Sequence, residues 1–494
     1  MKQKKKIAVL GSGIAGLSCA SFLAKAGHEV HIYEKNETIG GRARQFATDN
    51  GFVFDMGPSW YWMPEVFEKF YQQFGHTSSD FYDLIRLDPS YRIFWEDGSQ
   101  DDIPADMNEL EAWFEHHEPG SAEKLRTFLK DAKYKYEVGM GELVHKPSLS
   151  LWEFADKRVM GGLVKMHLLS SFAKYIRGYF SHPKILSLLE FPILFLGATP
   201  KDTPALYSLM NYADMQLGTW YPQKGMFEFI KAFEQIAKEQ GVVIHTGKEV
   251  TRFESSGKQI TAAYCGTEKI EADYFVSGAD YRHTEKLLAE KANYSDKYWD
   301  KRVMAPSSLL FYVGLNKKVD GLLHHNLFFD KPFAPHAEEI YTNPKWPSDP
   351  LFYVSCPSKT DSTVAPEGHE NLFLLIPIAP DLEDSEVMRE KYFDLLIARI
   401  EQHTGTSIKD NIVYKRSFCI SDFKNDYHAF KGNAYGLANT LRQTAFLKPK
   451  IKNKKLNNLL YTGQLTVPGP GVPPSIISGE VVANKLIQEM KDHN

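Results

Sequence analysis

The chain has 494 residues, 43% of them hydrophobic and 24% charged, enough to bury two or three cores. Its formal net charge of −4 gives no global reason to expect nucleic acid as a partner. Cys19, Cys265, Cys356 and Cys419 stand far apart with no CxxC pair, which leaves no metal set or evident disulfide framework and favours a reducing compartment.

The first residues carry lysines but pass straight into the strand pattern Ile7, Val9, Leu10, without a signal-peptide core. No stretch has the length and purity of a transmembrane helix. The expectation is a cytoplasmic protein whose membrane contact is peripheral, on the inner face of the cell membrane. Gly11-Ser12-Gly13-Ile14-Ala15-Gly16 follows the strand at once, and Leu17, Ala20, Leu23 and Ala24 then recur at helical spacing until Gly27. Val30, Ile32 and Tyr33 give a second strand that ends in Glu34, with Lys35 next. Small residues let the backbone approach a pyrophosphate, a helix N-terminus offers N–H groups and positive dipole, and the acid accepts from ribose hydroxyls. An acid there also disfavours a 2′-phosphate. Strand, turn, helix and acid in register predict dinucleotide binding.

Gly40-Gly41-Arg42-Ala43-Arg44 begins six positions past the acid and predicts a second backbone approach, with Arg42 or Arg44 near phosphates. A glycine pair and arginine in this place are similar to the extended FAD-binding motif of the flavin amine oxidase and carotenoid desaturase superfamily. Phe52 and Phe54 lie on one side of a strand that turns at Gly57-Pro58; Glu65–Phe74 and Ser121–Tyr136 read as helices, and Arg92–Asp97 as a strand.

From about Leu149 the composition changes. Leu163, Met166, Leu169, Ala173, Ile176 and Phe180 form one apolar helical stripe, and Lys157, Arg158, Lys165, Lys174, Arg177 and Lys184 precede the next acid, Glu190. A basic amphipathic segment either lies on an anionic bilayer or packs on its own core. Phe191–Tyr221 is apolar and aromatic, suited to a hydrocarbon tunnel or to plain core. Phe229, Ile230, Phe233 and Ile236 mark a helix up to Gly241, and strands return over Val242–Ser277. Ser307–Gly314, Leu327–Asp330, Leu351–Ser355 and Leu372–Ile378 predict an antiparallel sheet, followed by a helix over Glu383–His403. His324-His325 lacks further ligands at metal spacing, so no metal is expected. Leu459–Gly463 is a strand ending in glycine; the proline-glycine loop Gln464–Pro474 follows, and Ser475–Met490 is the last helix.

Taken in order, the N-terminal motif, GFVFDMGPS, GMFEFIKAF, FVSGADY, CPSKTDSTVAPEG, DFKNDYHAFKGNAYGL and VPGPGVPP resemble bacterial phytoene desaturases over nearly the full length. The resemblance implies an α/β fold with a discontinuous, Rossmann-like FAD-binding domain, an antiparallel-sheet substrate domain and a helical membrane-facing insert. The implied boundaries are 1–105, 222–300 and 431–494 for the FAD domain, 106–221 for the insert and 301–430 for the substrate domain. It implies FAD contacts at Gly11, Ser12, Gly13, Ile14, Ala15, Gly16, Glu34, Lys35, Gly40, Gly41 and Arg42. Val250 would face the adenine, and Gly463, Gly471 and Val472 the ribityl and ring parts. The implied activity is desaturation of a linear carotenoid, phytoene towards lycopene, with oxygen or a quinone as final electron acceptor and the membrane surface as partner. Asp214, Asp361 and Glu367 are candidate bases, and no catalytic residue is assigned. Gln464 stands where many flavin oxidases carry an acid, and GPGVPPS replaces the more usual GAGIPG. Two alternatives stay open: a desaturase or saturase of another carotenoid or a retinoid, and a prenyl-lipid carrier of the GDP-dissociation-inhibitor type.

Overall fold

The computed structural model describes residues 4–148, 170–194, 197–440 and 442–492. Lys6–Leu10 pairs in parallel with Glu29–Tyr33 on one side and Tyr274–Ser277 on the other, and Val243–His245 and Leu459–Tyr461 complete a five-stranded parallel sheet. Its strands therefore come from three separated stretches of chain. Ile7, Val9, Ile32 and Val276 are buried on faces covered by helices, as a parallel sheet requires.

Helix Ile14–Lys25 packs against the last helix, Val472–Asp492, and both are drawn close by a glycine. A Cβ at Gly479 would stand 2.6 Å from the carbonyl oxygen of Ala15. Helix Phe227–Glu239 buries Phe229, Phe233 and Ile236 in the same core, each contributing about 1.5–3 kcal/mol relative to exposure. Its N-terminus is capped from a distance: the Asp55 carboxylate accepts from the N–H groups of Met226 (2.7 Å) and Phe227 (3.2 Å).

The second sheet has seven strands in the order Ile412–Phe418, Ser307–Leu315, Glu370–Ile378, Phe352–Ser355, His325–Phe329, Tyr91–Trp95, Gln100–Ile103. All pairings are antiparallel except His325–Phe329 with Tyr91–Trp95. Helix Glu386–Thr404 covers one face with Tyr392, Phe393, Leu396 and Ile400. The hairpin Tyr91–Ile103 thus extends this sheet, although its place in the sequence assigned it to the first FAD-binding segment. Hairpin composition specifies a strand but not the distant strand it pairs with.

Of the apolar stripe, Leu163, Met166 and Leu169 lie outside the described residues, as do Lys157, Arg158 and Lys165. Ala173, Ile176 and Phe180 are buried, so the described part of the stripe faces protein. Arg177 pairs with Glu190 (2.5 Å) and Lys184 with Asp97 (3.4 Å), while Lys174 is exposed. Among the described residues no helix is long and apolar enough to cross a membrane.

Candidate active site

A cleft of about 410 Å³ runs along the loops that follow the C-terminal ends of the parallel strands. Gly11, Gly13, Ile14, Ala15, Glu34, Lys35, Gly40, Gly41, Arg42, Val250, Gly463, Gly471 and Val472 all line it. Ser12 and Gly16 do not, for a local reason. Ser12 points away: its N–H and hydroxyl donate to Glu34 Oε2 at 2.8 and 2.7 Å, while Glu34 Oε1 accepts from the N–H (2.9 Å) and side-chain amide (3.1 Å) of Asn36. Gly16 is a packing residue, its Cα turned toward the backbone of Gly11. Gly13 is the opposite case, because a Cβ there would meet nothing within 4 Å. Its backbone is open to a ligand.

The two arginines have different fates. Arg44 is taken up by Asp426 and by the Tyr427 hydroxyl, to which it donates at 3.1 Å; its buried Nε is also without a hydrogen-bond partner, but Arg44 does not line the cleft, whereas Arg42 does. Arg42 donates one weak bond to the Asn433 carbonyl (3.3 Å), lies 4.9 Å from the Tyr427 ring centre, and keeps its buried Nε without a hydrogen-bond partner. Burial lowers its pKa. A half-buried guanidinium with an unsatisfied N–H, beside an exposed glycine backbone and a helix N-terminus, fits a phosphate.

Beyond this cradle the lining turns apolar and aromatic. Trp60, Trp62, Met63 and Met210 line the cleft as an aromatic and thioether wall, and Leu310, Tyr353, Phe373, Leu375 and Tyr435 line it as well, with Trp60 and Tyr353 in ring contact at 5.4 Å. Trp60 stacks on His325 with centroids 4.1 Å apart, and Trp62 Nε1 donates to the Thr219 hydroxyl at 2.9 Å. Sequence reasoning missed this wall. Trp60 and Trp62 stand in a loop with no periodicity, and only their bulk next to Gly57-Pro58 marked them. Most of the described part of Phe191–Tyr221 is core, with Met210 its representative in the cleft; residues 195 and 196 lie outside the described residues.

None of the three candidate bases lines the cleft. Asp361 is a turn cap, accepting from the Lys224 N–H (2.5 Å), Tyr221 hydroxyl (3.1 Å), Thr363 N–H (2.8 Å) and Thr363 hydroxyl (2.7 Å). Glu367 is exposed on a loop. Asp214 lies behind Trp62, and burial pushes its carboxyl up to about 7. The acids that do line the cleft are engaged: Glu249 with His428 (2.7 Å), Asp280 with the His283 and Phe430 N–H groups (3.0 and 3.1 Å), Asp426 with Arg44.

Glu249, His283 and His428 bring three ligand-type atoms within 4.8 Å of one another. The two imidazoles stack face to face, 3.8 Å apart and 3° from parallel, so their lone pairs run side by side rather than converging on one ion. His324 and His325 bond instead to Thr360 (2.8 Å) and Tyr353 (2.6 Å), and burial drives both toward the neutral form.

The model of the flavin containing amine oxidoreductases matches residues 14–487. The chain is 41% identical over 487 residues to a carotenoid 3,4-desaturase of Haloarcula japonica, covering 98% of both chains. It is 30% identical to a zeta-carotene-forming phytoene desaturase of Myxococcus xanthus, over 98% of this chain and 94% of that one. Among solved structures, an oxidoreductase from Methanosarcina mazei superposes with a TM-score of 0.63 at 16% identity, over 97% of this chain and all of the other. Cyclohexylamine oxidase from Brevibacterium oxydans gives 0.57 at 14%, over 99% and 100%. At those identities the structures share the fold alone. Full-length relatives, family model and glycine-rich cleft agree, and the chain belongs to the FAD-dependent carotenoid desaturases within the flavin containing amine oxidoreductases.

Proposed function

We propose that this oxidoreductase desaturates a carotenoid lying in the aromatic half of the cleft, with FAD in the glycine-lined half. The observation that carries the reading is continuity: one cavity joins Gly11, Gly13, Glu34 and Arg42 to Trp60, Trp62, Tyr353 and Phe373. The pyrophosphate is assigned to Gly11–Gly16 and Arg42, the ribose to Glu34 and Lys35, the adenine to Val250, and the ribityl chain and ring to Gly463, Gly471 and Val472. Gly40 and Gly41 support the pyrophosphate loop, since the Gly40 N–H donates to the Ser12 carbonyl at 3.0 Å. Ser12 acts indirectly, by holding Glu34. The FAD-binding unit is assigned to 1–105, 222–300 and 431–494, with the hairpin Tyr91–Ile103 contributed to the sheet of 301–430, and the insert to 106–221.

FAD supplies the acceptor for the two electrons and one hydrogen removed from a CH2–CH2 unit, the second hydrogen leaving as a proton. The chain's own work is positioning. Apolar side chains exclude water and hold the polyene extended, and the N-terminus of helix Val472–Asp492 places positive dipole at the ring end of the cleft, where reduced flavin carries negative charge. A complete glycine cradle with an unsatisfied Arg42 has no use in a prenyl-lipid carrier. The 41% relative supports the bond between C3 and C4 as the one oxidised; the 30% relative supports phytoene as the second reading. A carotenoid partitions into lipid, so the enzyme meets it at one leaflet of a membrane, and oxygen or a quinone takes the electrons afterwards.

The test is incubation of FAD-loaded enzyme with liposomes holding either lycopene or phytoene, followed by chromatography of the pigments. A product two hydrogens lighter at C3–C4 from lycopene supports the first reading. Conversion of phytoene alone moves the assignment to the second. No product from either carotenoid defeats both.

A further inference from the structure

Asp214 is a buried carboxyl that the chemistry above does not use, yet it is tied to three residues of the substrate wall. Its helix, Leu209–Met215, carries Met210 one turn earlier. Its Oδ1 lies 3.5 Å from the Thr219 hydroxyl, which accepts the Trp62 indole N–H at 2.9 Å. Its Oδ2 accepts from the Tyr91 hydroxyl at 2.8 Å, and the Tyr91 ring meets Trp60 edge to face at 5.5 Å. Phe191 fills the space among Trp60, Trp62 and Tyr91, with centroids 5.8, 6.1 and 5.3 Å away. Trp62, Tyr91 and the pair Asp214 and Thr219 come from three places in the chain and are all buried. Two tryptophans in a loop would otherwise have several rotamers available, and an aromatic wall that reorients cannot hold a long, featureless polyene in one register.

We propose that Asp214 is the positioning residue of the carotenoid channel: through Thr219 and Tyr91 it fixes Trp62 and Trp60, and so sets which carbon pair of the polyene is presented for oxidation. The proposal rests on the carotenoid reading of the cleft. Asp214 serves as the common acceptor, taking the Thr219 hydroxyl with one oxygen and the Tyr91 hydroxyl with the other, while burial raises its pKa. A carotenoid offers no hydrogen-bonding groups along its chain, so register can be set only by the shape of such a wall.

The experiment compares wild type, Asp214→Asn, Asp214→Leu and Tyr91→Phe as FAD-loaded enzymes, reading flavin content, tryptophan emission, steady-state constants and the double-bond positions of the product. Asp214→Asn keeps an oxygen that accepts from Tyr91 and offers Thr219 an amide N–H in place of the second acceptor, and it is expected to stay within about threefold of wild type. Asp214→Leu is expected to retain flavin, shift tryptophan emission, raise KM about five- to tenfold and broaden the product set to neighbouring bonds. Tyr91→Phe repeats a weaker form of that pattern and serves if Asp214→Leu does not fold. A flavin-loaded Asp214→Leu or Tyr91→Phe with wild-type KM and a single wild-type product overturns the proposal. So does an Asp214→Asn enzyme that loses kcat about a hundredfold at unchanged KM, since that is the mark of an acid–base group. Failure of the carotenoid reading shows differently, as a flavin-loaded wild type that converts no carotenoid.

Discussion

A Cβ at Gly16 would stand 2.1 Å from the carbonyl oxygen of Gly11, so the first helix rests on the backbone of the turn that precedes it. The contact sets the height of the helix N-terminus over the cleft and leaves no room for a side chain. Gly16→Ala therefore has to push helix and turn apart, at a cost of about 1–3 kcal/mol. Purified Gly16→Ala is expected to carry little flavin and to melt several degrees lower. Gly13→Ala, with open space around its Cβ, is expected to melt like wild type and to lose flavin affinity alone. Thermal melts with and without added FAD separate the two.

Arg42 and Arg44 are two residues apart and are expected to fail in different ways. Arg42→Leu removes from the cleft a guanidinium held by one long hydrogen bond and is expected to weaken FAD binding about ten- to a hundredfold with little change in the apoprotein melt. Arg44→Leu breaks the contacts with Asp426 and Tyr427 and is expected to lower the melt first. Quenching of flavin fluorescence gives the binding constants.

Lys448 is buried with its amine bonded to nothing, and burial lowers its pKa to about 7. An unfolded lysine titrates near 10.4, so between pH 7 and about 10 the unfolded chain binds more protons and stability rises with pH. Below pH 7 the amine is charged in both states and the full burial penalty applies. Lys448→Met is thus expected to stabilise the protein by about 1–3 kcal/mol, most strongly at or below pH 7. Chemical denaturation at pH 6.5 and pH 9.5 reads the difference.

For Asp214 the sign is reversed. Its folded pKa of about 7 lies above the unfolded value near 3.9, so the folded state holds the extra proton and stability falls as pH rises from about 4 to 7, then levels. Asp214→Asn has no such slope. The melting-temperature difference, variant minus wild type, is expected to grow from pH 4 to pH 7 and stay constant above it.

The parts of the site that were legible are those whose chemistry is local. Gly11–Gly16, Glu34 and Gly463 directly follow parallel strands, where spacing alone announces a turn toward a ligand, and Gly40–Arg42, Gly471 and Val472 lie on the loops beyond; of these residues all but Ser12 and Gly16 line the cleft. Strand and helix runs such as Ser307–Leu315 and Phe227–Glu239 were legible for the same reason. What escaped depends on contacts between distant residues. The hairpin Tyr91–Ile103 needed His325–Phe329 to show which sheet it joins. Trp60 and Trp62 needed Tyr91, Thr219 and His325 to become a wall, and Asp214, which composition marked only as an acid among apolar neighbours, needed that wall to acquire a role.

The central claim is that one cleft brings flavin and carotenoid together, and anaerobic mixing of FAD-loaded enzyme with carotenoid-bearing liposomes tests it most directly. Flavin absorbance and pigment absorbance are followed in the same trace. The account predicts that flavin bleaches as the pigment spectrum shifts to longer wavelength, one flavin reduced per double bond formed. A flavin that stays oxidised in the presence of lycopene and of phytoene alike, in protein that demonstrably holds FAD, would contradict it.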